Sequence, residues 1–345
     1  MEKTVIAGPC SVESREQLRE ATAALARMPQ VTMIRGGVWK PRTRPGAFEG
    51  LGEPALQWMQ EFATEYGVRY CCEVARPEHV ALCIRYGIGT VWIGARTTGN
   101  PFMVEELCQA LRGSGMAVLV KNPTSPDVRL WLGAIERLQA AGIDDITAVH
   151  RGFATYHNQG YRNVPLWEVP LELRRLLPAM PILCDPSHIG GRSDLVAPIA
   201  LAARQLDYDG LMVEVHPNPA AALTDSAQQL APDELAPLLE SFLAPHPPTA
   251  DDPRLAALRQ QIDDIDRGML ALVARRMDLS RSIAAIKRET GLTVYQSKRW
   301  SSLVLDRLQQ ADTLGLDADF TKHLLEMIHA ESVRVQLDLQ NDSGR

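Results

Sequence analysis

Residues 117–121, AVLVK, form a short apolar run that ends on a lysine, and this pattern decides the fold. Seven other apolar runs end in the same way, on or just before a residue with a functional side chain. They are residues 4–7 before Cys10, 31–34 before Arg35, 70–72 before Glu73, 90–93 before Arg96, 146–149 before Arg151, 181–184 before Asp185 and His188, and 211–213 before Glu214. In a parallel (β/α)8 barrel, functional side chains collect at the carboxyl ends of the strands. The eight runs therefore predict an α/β fold, a (β/α)8 TIM barrel over residues 1–243.

The composition of the 345 residues limits the class of protein. The apolar fraction of 46% is enough for one large core and a smaller domain. Because the net charge is −6, we expect no nucleic-acid and no membrane partner. The residues after Met1 show no signal-peptide pattern, and the six cysteines include no CxxC pair, as is typical of a reducing compartment. We therefore expect a cytoplasmic protein.

A proline-rich segment, APHPPTA at residues 244–250, interrupts the alternation of strands and helices. We interpret residues 244–252 as a linker and residues 253–345 as a second, all-helical domain. Asp252 and Pro253 suit the start of a helix, in which apolar residues recur at helical spacing to about residue 289. Such a helix is roughly 55 Å long at about 1.5 Å per residue, so we expect it to pack against a partner chain. Two further helices are predicted near residues 298–311 and 319–340.

Four residues at the predicted barrel rim could hold a divalent cation: Cys10, His188, Glu214 and Asp225. This set of one thiolate, one imidazole and two carboxylates favours Mn, Fe, Co or Zn over Mg. The alternative is a buried thiol, a histidine bonded to the backbone and two ordinary loop acids.

Six cations follow strand ends and should converge on the same rim: Arg35, Lys40, Arg42, Arg96, Lys121 and Arg151. Such a cluster repels itself unless anions fill it, so it predicts a substrate with both phosphate and carboxylate groups. The alternative is a set of separate surface ion pairs.

The long helix also carries cations, Arg259, Arg276 and Lys287, where its apolar stripe would have core residues. Buried cations are costly unless an anion meets them, which indicates an anionic ligand. Arg259 lies roughly 100° around the helix from Arg276 and could serve a site in the partner chain. The alternative is that these side chains reach solvent at a dimer interface.

Motifs at the strand ends resemble those of 3-deoxy-D-arabino-heptulosonate 7-phosphate (DAHP) synthases of the compact type I-beta branch. They are AGPCS at 7–11, RGG at 35–37, KPRT at 40–43, IGAR at 93–96, KNP at 121–123, HRG at 150–152, DPSH at 185–188, EVHP at 214–217 and LTD at 223–225. The resemblance covers about residues 3–240.

This resemblance implies the condensation of phosphoenolpyruvate with erythrose 4-phosphate at a metal held by Cys10, His188, Glu214 and Asp225. It implies phosphoenolpyruvate contacts from Arg35, Lys40, Ala95, Arg96, Lys121 and Arg151, and erythrose 4-phosphate contacts from Pro41, Arg42, Thr43 and Asp185. Catalytic roles fall to Lys40, Glu73, Asp185 and His188.

Residues 254–340 resemble the all-helical, dimeric chorismate mutases through LRQQID at 258–263, ARRM at 274–277 and ESVRVQ at 331–336. The resemblance implies conversion of chorismate to prephenate by a three-helix domain. Its implied chorismate contacts are Arg259 from one chain, with Arg276, Lys287, Arg299, Ser332 and Gln336 from the other. Of these, Lys287 and Gln336 would be catalytic, because they donate to the ether oxygen. Gln296 and Trp300 depart from the family, which commonly has acidic residues at both positions.

Three hypotheses follow. In the first, both domains are active and chorismate or prephenate inhibits the synthase. In the second, the helical domain is only a ligand-sensing dimerisation module. In the third, the barrel makes an octulosonate or a sialic acid, but KPRT at 40–43 argues against it.

Overall fold

The structure, a computed structural model, describes residues 3–40, 46, 48–158, 160–245 and 252–341. The chain divides into two compact units, Met1–Pro245 and His246–Arg345. Most of the predicted linker, residues 246–251, lies outside the described residues.

The first unit is a closed barrel of eight parallel strands, as the apolar runs predict. The strands are β1 Thr4–Gly8, β2 Met33–Arg35, β3 Tyr70–Val74, β4 Thr90–Ile93, β5 Ala117–Lys121, β6 Ile146–His150, β7 Ile182–Cys184 and β8 Gly210–Glu214. The helices between and after them are α1 Arg15–Leu25, α2 Glu53–Tyr66, α3 Pro77–Arg85, α4 Ala95–Thr98, α5 Pro101–Leu111, α6 Val128–Ala140, α7 Glu168–Leu176, α8 Pro186–Gly190, α9 Val196–Gln205 and α10 Pro232–Leu243.

The strands are apolar because helices cover the outside of the barrel and side chains fill its inside. All four residues of β4 and all five of β8 are buried. Strand β1 closes the barrel against β8, with Gly8 opposite Glu214. Gly8 has a φ of +149°, and a Cβ there would lie 2.2 Å from the carbonyl oxygen of Arg35. Only glycine therefore allows β1 and β2 to approach each other at the rim.

The second unit consists of three helices, α11 Pro253–Thr290, α12 Ser297–Thr313 and α13 Ala318–Asn341. The Asp252 side chain accepts from the Arg254 amide at 2.9 Å and caps α11 as predicted. Gly291, with a φ of +68°, ends the helix. Ser280 of α11 contacts Ser332 of α13, with 2.7 Å between the two hydroxyl oxygens.

One side of α11 exposes large apolar residues within this unit. The exposed fractions of Leu258, Ile262, Ile265 and Leu272 are 54%, 56%, 61% and 67%. In the described parts of the chain, no helix combines the length and the apolar character that a bilayer span requires.

Candidate functional site

The carboxyl ends of the strands bring the predicted functional residues to one rim of the barrel. Arg35 is the last residue of β2, Lys121 the last of β5 and Glu214 the last of β8, and Glu73 is the last but one of β3. Parallel strands in a closed sheet present all these ends on the same side. The rim is therefore the place where the loops add their own polar groups.

Three of the four predicted metal ligands form one group at this rim. Ligand atoms of Cys10, Glu214 and Asp225 all lie within 4.8 Å of one another. The thiol sulfur of Cys10 is 3.3 Å from Oδ2 of Asp225. His188 lies at the edge of this group, with its Nε2 3.7 Å from Oε1 of Glu214. The structure thus brings three ligands together and places the fourth beside them.

The electrostatics of this group fit a cation. Burial and the charge of Glu214 raise the pKa of the Cys10 thiol to about 12. Burial also acts to raise the pKa of Glu214, but His188 and Arg35 outweigh it and lower the value to about 2. Oε1 of Glu214 is buried and has no hydrogen-bond partner. A buried, ionised oxygen without a hydrogen bond, next to a thiol and a second carboxylate, is a suitable ligand for a borderline-soft divalent metal.

Asp185 orients His188. Oδ2 of Asp185 lies 2.8 Å from Nδ1 of His188. Its Oδ1 accepts from the backbone amide of His188 at 3.0 Å and so caps the turn that carries this histidine. Burial acts to raise the pKa of Asp185, but His188, Lys121 and Arg35 hold it well below its usual range. An ionised carboxylate accepts a hydrogen bond from Nδ1–H, which leaves Nε2 of the imidazole free as a ligand or acceptor.

Buried cations surround the metal-ligand group. Nη2 of Arg35 lies 2.9 Å from Oε1 of Glu214 without hydrogen-bond geometry, and its Nε and Nη1 are buried without partners. Lys121 pairs with Asp185 at 2.8 Å. Both cations lie over the ring of Trp92, at 5.0 Å and 5.7 Å. The unpaired donors of Arg35 can receive an anion at the rim.

Other predicted cations lie nearby. Burial, with the charges of Arg162 and Arg96 as neighbours, lowers the pKa of Arg151 to about 10. Nζ of Lys40 donates to the Cys10 sulfur at 3.1 Å.

A cavity of about 390 Å³ opens at the same rim. Lys40, Glu73 and Arg96 line it, together with the stacked rings of Trp39 and His79, whose centroids are 3.9 Å apart. Ala95 begins α4, next to Arg96. The predicted sugar-phosphate residues, Pro41, Arg42 and Thr43, lie outside the described residues.

The helical unit gathers a second polar cluster between α11 and α13. Arg276 donates to the carbonyl of Ile328 at 3.2 Å, and Lys287 donates to the carbonyl of Val294 at 2.6 Å. Gln336 is buried, its Nε2 donates to the carbonyl of Ser332 at 3.2 Å, and its Oε1 has no partner.

Two predicted chorismate ligands make no direct polar contact with this cluster among the described residues. Arg259 and Arg299 are exposed, and within residues 252–341 no hydrogen bond or ion pair joins them to the other four.

The family model of the DAHP synthetase I family matches residues 2–242. The chain belongs to this family. A second model, chorismate mutase type II, matches residues 258–337, so a chorismate mutase type II domain follows the DAHP synthase domain. The resemblance seen in the sequence is confirmed for both parts.

Relatives agree with this division. The phospho-2-dehydro-3-deoxyheptonate aldolase of Thermotoga maritima is 36% identical over 227 residues, which are 66% of this chain and 65% of that protein. The chain thus spans slightly less than two thirds of this relative. The T-protein of Enterobacter agglomerans is 33% identical over 90 residues, 26% of this chain and 23% of that protein. A crystal structure of the Thermotoga maritima DAHP synthase is 34% identical, with a TM-score of 0.63 over 70% of this chain and 68% of that one.

Sequence reasoning missed several polar residues of the two domains. In the synthase domain these are Arg162 and Gln228, which contact the carboxylates of the metal-ligand group. In the mutase domain His329 was missed, although it lies three residues before Ser332 on the same face of α13. Its ring stacks on Trp300 with centroids 3.9 Å apart, and burial with the charges of Arg276 and Lys287 lowers its pKa.

Proposed function

We propose that the chain is a bifunctional enzyme. The synthase domain condenses phosphoenolpyruvate, erythrose 4-phosphate and water to DAHP and phosphate, and the helical domain rearranges chorismate to prephenate. The observation that supports the synthase best is the meeting of Cys10, Glu214 and Asp225 beside the unpaired donors of Arg35. A metal centre and an anion site thus share one rim. We place the enzyme in the cytoplasm and expect no nucleic-acid or membrane partner.

In this proposal Cys10, His188, Glu214 and Asp225 hold one divalent ion, Mn, Fe, Co or Zn. When bound, the ion supplies Lewis-acid polarisation of the aldehyde oxygen. Asp185 keeps Nε2 of His188 unprotonated by accepting from Nδ1–H. The thiol of Cys10, with a pKa of about 12, must lose its proton as it becomes a ligand.

The cations orient phosphoenolpyruvate. Arg96, Lys121 and Arg151 bind its phosphate, with the backbone at Ala95 alongside, and Arg35 and Lys40 bind its carboxylate. Holding both ends presents one face of the methylene carbon to the aldehyde. Arg35 suits this role because its Nε and Nη1 have no protein partner.

Other residues serve the second substrate and the water. Pro41, Arg42 and Thr43 are proposed to bind erythrose 4-phosphate. Glu73 lines the cavity at the rim and is the better placed of the two candidate acid–base residues. Asp185 is fully buried and engaged by Lys121 and His188, which supports a positioning role near the aldose hydroxyl.

The mutase site is proposed to need two protomers. Arg276, Lys287, Arg299, Ser332 and Gln336 would come from one protomer and Arg259 from its partner. Arg259, Arg276 and Arg299 bind the two carboxylates. Lys287 and Gln336 donate to the ether oxygen that gains negative charge in the rearrangement. The exposed apolar residues of α11, such as Ile262 and Leu272, support a homodimer through this helix.

The decisive experiment measures loss of phosphoenolpyruvate after addition of erythrose 4-phosphate, with and without a chelator. We expect consumption that the chelator stops, and no chelator effect on chorismate consumption. Arabinose 5-phosphate replaces erythrose 4-phosphate in a parallel assay. Preference for arabinose 5-phosphate would refute the synthase assignment, and consumption that resists the chelator would refute the metal.

Feedback needs a separate test, because the helical domain could be a sensor without being a catalyst. We propose that prephenate or chorismate bound there inhibits the synthase. Prephenate is titrated into the synthase assay with the full chain and with a Lys287→Ala variant. Inhibition of the wild type alone supports feedback, whereas equal inhibition of both or none contradicts it. Chorismate consumption by the wild type separates an enzyme from a pure sensor.

A further inference from the structure

Two polar side chains outside the predicted site join Glu214 to Asp225. Gln228 is fully buried, its Nε2 donates to Oε2 of Glu214 at 2.7 Å, and its Oε1 accepts from Nη1 of Arg162 at 2.5 Å. The same Nη1 lies 3.1 Å from Oδ1 of Asp225. A continuous series of contacts therefore connects the two carboxylates.

These contacts leave one oxygen of each carboxylate for the shared space. Oε2 of Glu214 and Oδ1 of Asp225 are engaged by Gln228 and Arg162. The remaining Oε1 lies 2.9 Å from Nη2 of Arg35 and 3.7 Å from Nε2 of His188, and the remaining Oδ2 lies 3.3 Å from the sulfur of Cys10. The series thus turns one oxygen of each acid toward the other two ligands.

The backbone fixes Arg162 beside the turn that contains His188. The amide of Arg162 donates to the carbonyl of Ile189 at 3.1 Å, and the side-chain amide of Asn163 donates to the carbonyl of His188 at 2.7 Å. Gly191 leaves the room for this approach, since a Cβ there would lie 2.4 Å from Cβ of Arg162. Arg162 and Asn163 therefore contact the turn of His188, and the Arg162 side chain contacts Asp225 directly and Glu214 through Gln228.

Asp225 needs such support because its backbone is left-handed, with a φ of +49°. A non-glycine residue in this region is strained and persists only when its surroundings hold it. The ion pair with Arg162 and the bond from the Gln228 amide to the Asp225 carbonyl, at 3.1 Å, provide this hold.

We propose that Arg162 and Gln228 are positioning residues that set the separation and orientation of the Glu214 and Asp225 carboxylates for a divalent metal. The inference rests on the proposed metal-dependent function. The expected change in metal affinity when Arg162 is removed is opposite to the change that its charge alone would cause. If Arg162 acted only through its positive charge, its removal would strengthen metal binding. If it positions the carboxylates, its removal weakens metal binding.

The test is the dissociation constant of Mn²⁺, measured by competition with a chelator, for the full-length chain and its variants. Arg162→Met and Gln228→Leu should each weaken binding about 10- to 100-fold. The double variant should bind no more than a few-fold more weakly than the weaker single variant, because both residues act through one series of contacts. Arg192→Met, which removes a surface arginine paired with Asp194, should bind Mn²⁺ like the wild type.

The outcomes distinguish failure of the positioning role from failure of the metal centre. Unchanged or tighter Mn²⁺ binding by Arg162→Met overturns the positioning role, and so does unchanged binding by Gln228→Leu. Arg162 is partly exposed, so its variant keeps the test valid even if a change at the buried Gln228 prevents folding. A wild-type chain that binds no Mn²⁺, Fe²⁺, Co²⁺ or Zn²⁺ would refute the metal centre itself, and with it this inference.

Discussion

Replacing Lys121 by methionine should destabilise the barrel and stop the synthase for two separable reasons. Lys121 and Asp185 form an ion pair at 2.8 Å, with side chains only 5% and 0% exposed. Methionine fills a similar volume but leaves the Asp185 charge buried without this partner. Breaking such a pair costs about 3–5 kcal/mol, and we expect the lower end because His188 still contacts Asp185. With a urea dependence of about 2–3 kcal/mol per M, the unfolding midpoint should fall by roughly 1 M.

A second change distinguishes the two reasons. Lys121→Met/Asp185→Asn removes the orphaned charge, so it should recover most of the lost stability. It should not recover synthase activity, because the proposed phosphate contact of Lys121 is still absent. Tryptophan fluorescence during urea unfolding of the full chain reports on the barrel, since all of its tryptophans but Trp300 lie there.

Arg137→Met serves as the control, because it breaks an exposed pair with Glu105 at 3.0 Å and should cost less than about 1 kcal/mol. The reasoning is refuted if Lys121→Met costs no more than this control, or if the double variant is no more stable than Lys121→Met.

Three further predictions concern other parts of the chain. A Cβ at Gly94 would lie 2.0 Å from Oε1 of Glu73, so Gly94→Ala should displace this carboxylate and lower the synthase kcat about 100-fold with little loss of stability. Gly89→Ala, where a Cβ meets no atom within 4 Å, is its control, and equal kcat values would contradict the role of Glu73. Burial lowers the pKa of His150 from 6.5 to about 3, so the unfolded chain takes up the proton first and stability falls by about 1.4 kcal/mol per pH unit as pH drops from 6.5 toward 3. His150→Gln should reduce the pH dependence of the urea midpoint between pH 6 and pH 4, and an unchanged dependence would count against this account. Gln336→Leu should slow chorismate conversion about 100- to 1,000-fold and leave the synthase unaffected, whereas a smaller effect would argue against a donor role.

The barrel was predictable because its strands are buried on both sides and end abruptly. A charged side chain at the rim, such as Lys121 after residues 117–120, interrupts an apolar run at the carboxyl end of the strand, where the polar groups of the site begin. The positions of Arg35, Glu73 and Glu214 on the strands follow from the same rule. The start of β2 was less well predicted, at residue 31 instead of Met33, because such runs have no marked beginning.

The residues that depend on contacts between distant segments were not predictable in this way. Gln228 and Arg162 are polar loop residues, and only the closed barrel brings them together. Similarly, the periodicity of α11 showed that Arg276 and Lys287 replace apolar residues on its stripe. These two charges come close to His329 only when α13 packs against α11. A single-helix pattern contains no information on that pairing.

The position of Arg35 relates the metal group to the anion site. Its Nη2 lies next to Glu214, while its guanidinium lies over Trp92, the ring that Lys121 also approaches. Its other two nitrogens are buried and have no partner among the protein groups. A carboxylate at the rim could accept from both of them. Because the guanidinium is planar and held between Glu214 and Trp92, the carboxylate can lie in only a narrow range of positions. In the proposed function, these two buried donors would therefore hold the substrate carboxylate between the proposed metal and the proposed phosphate site.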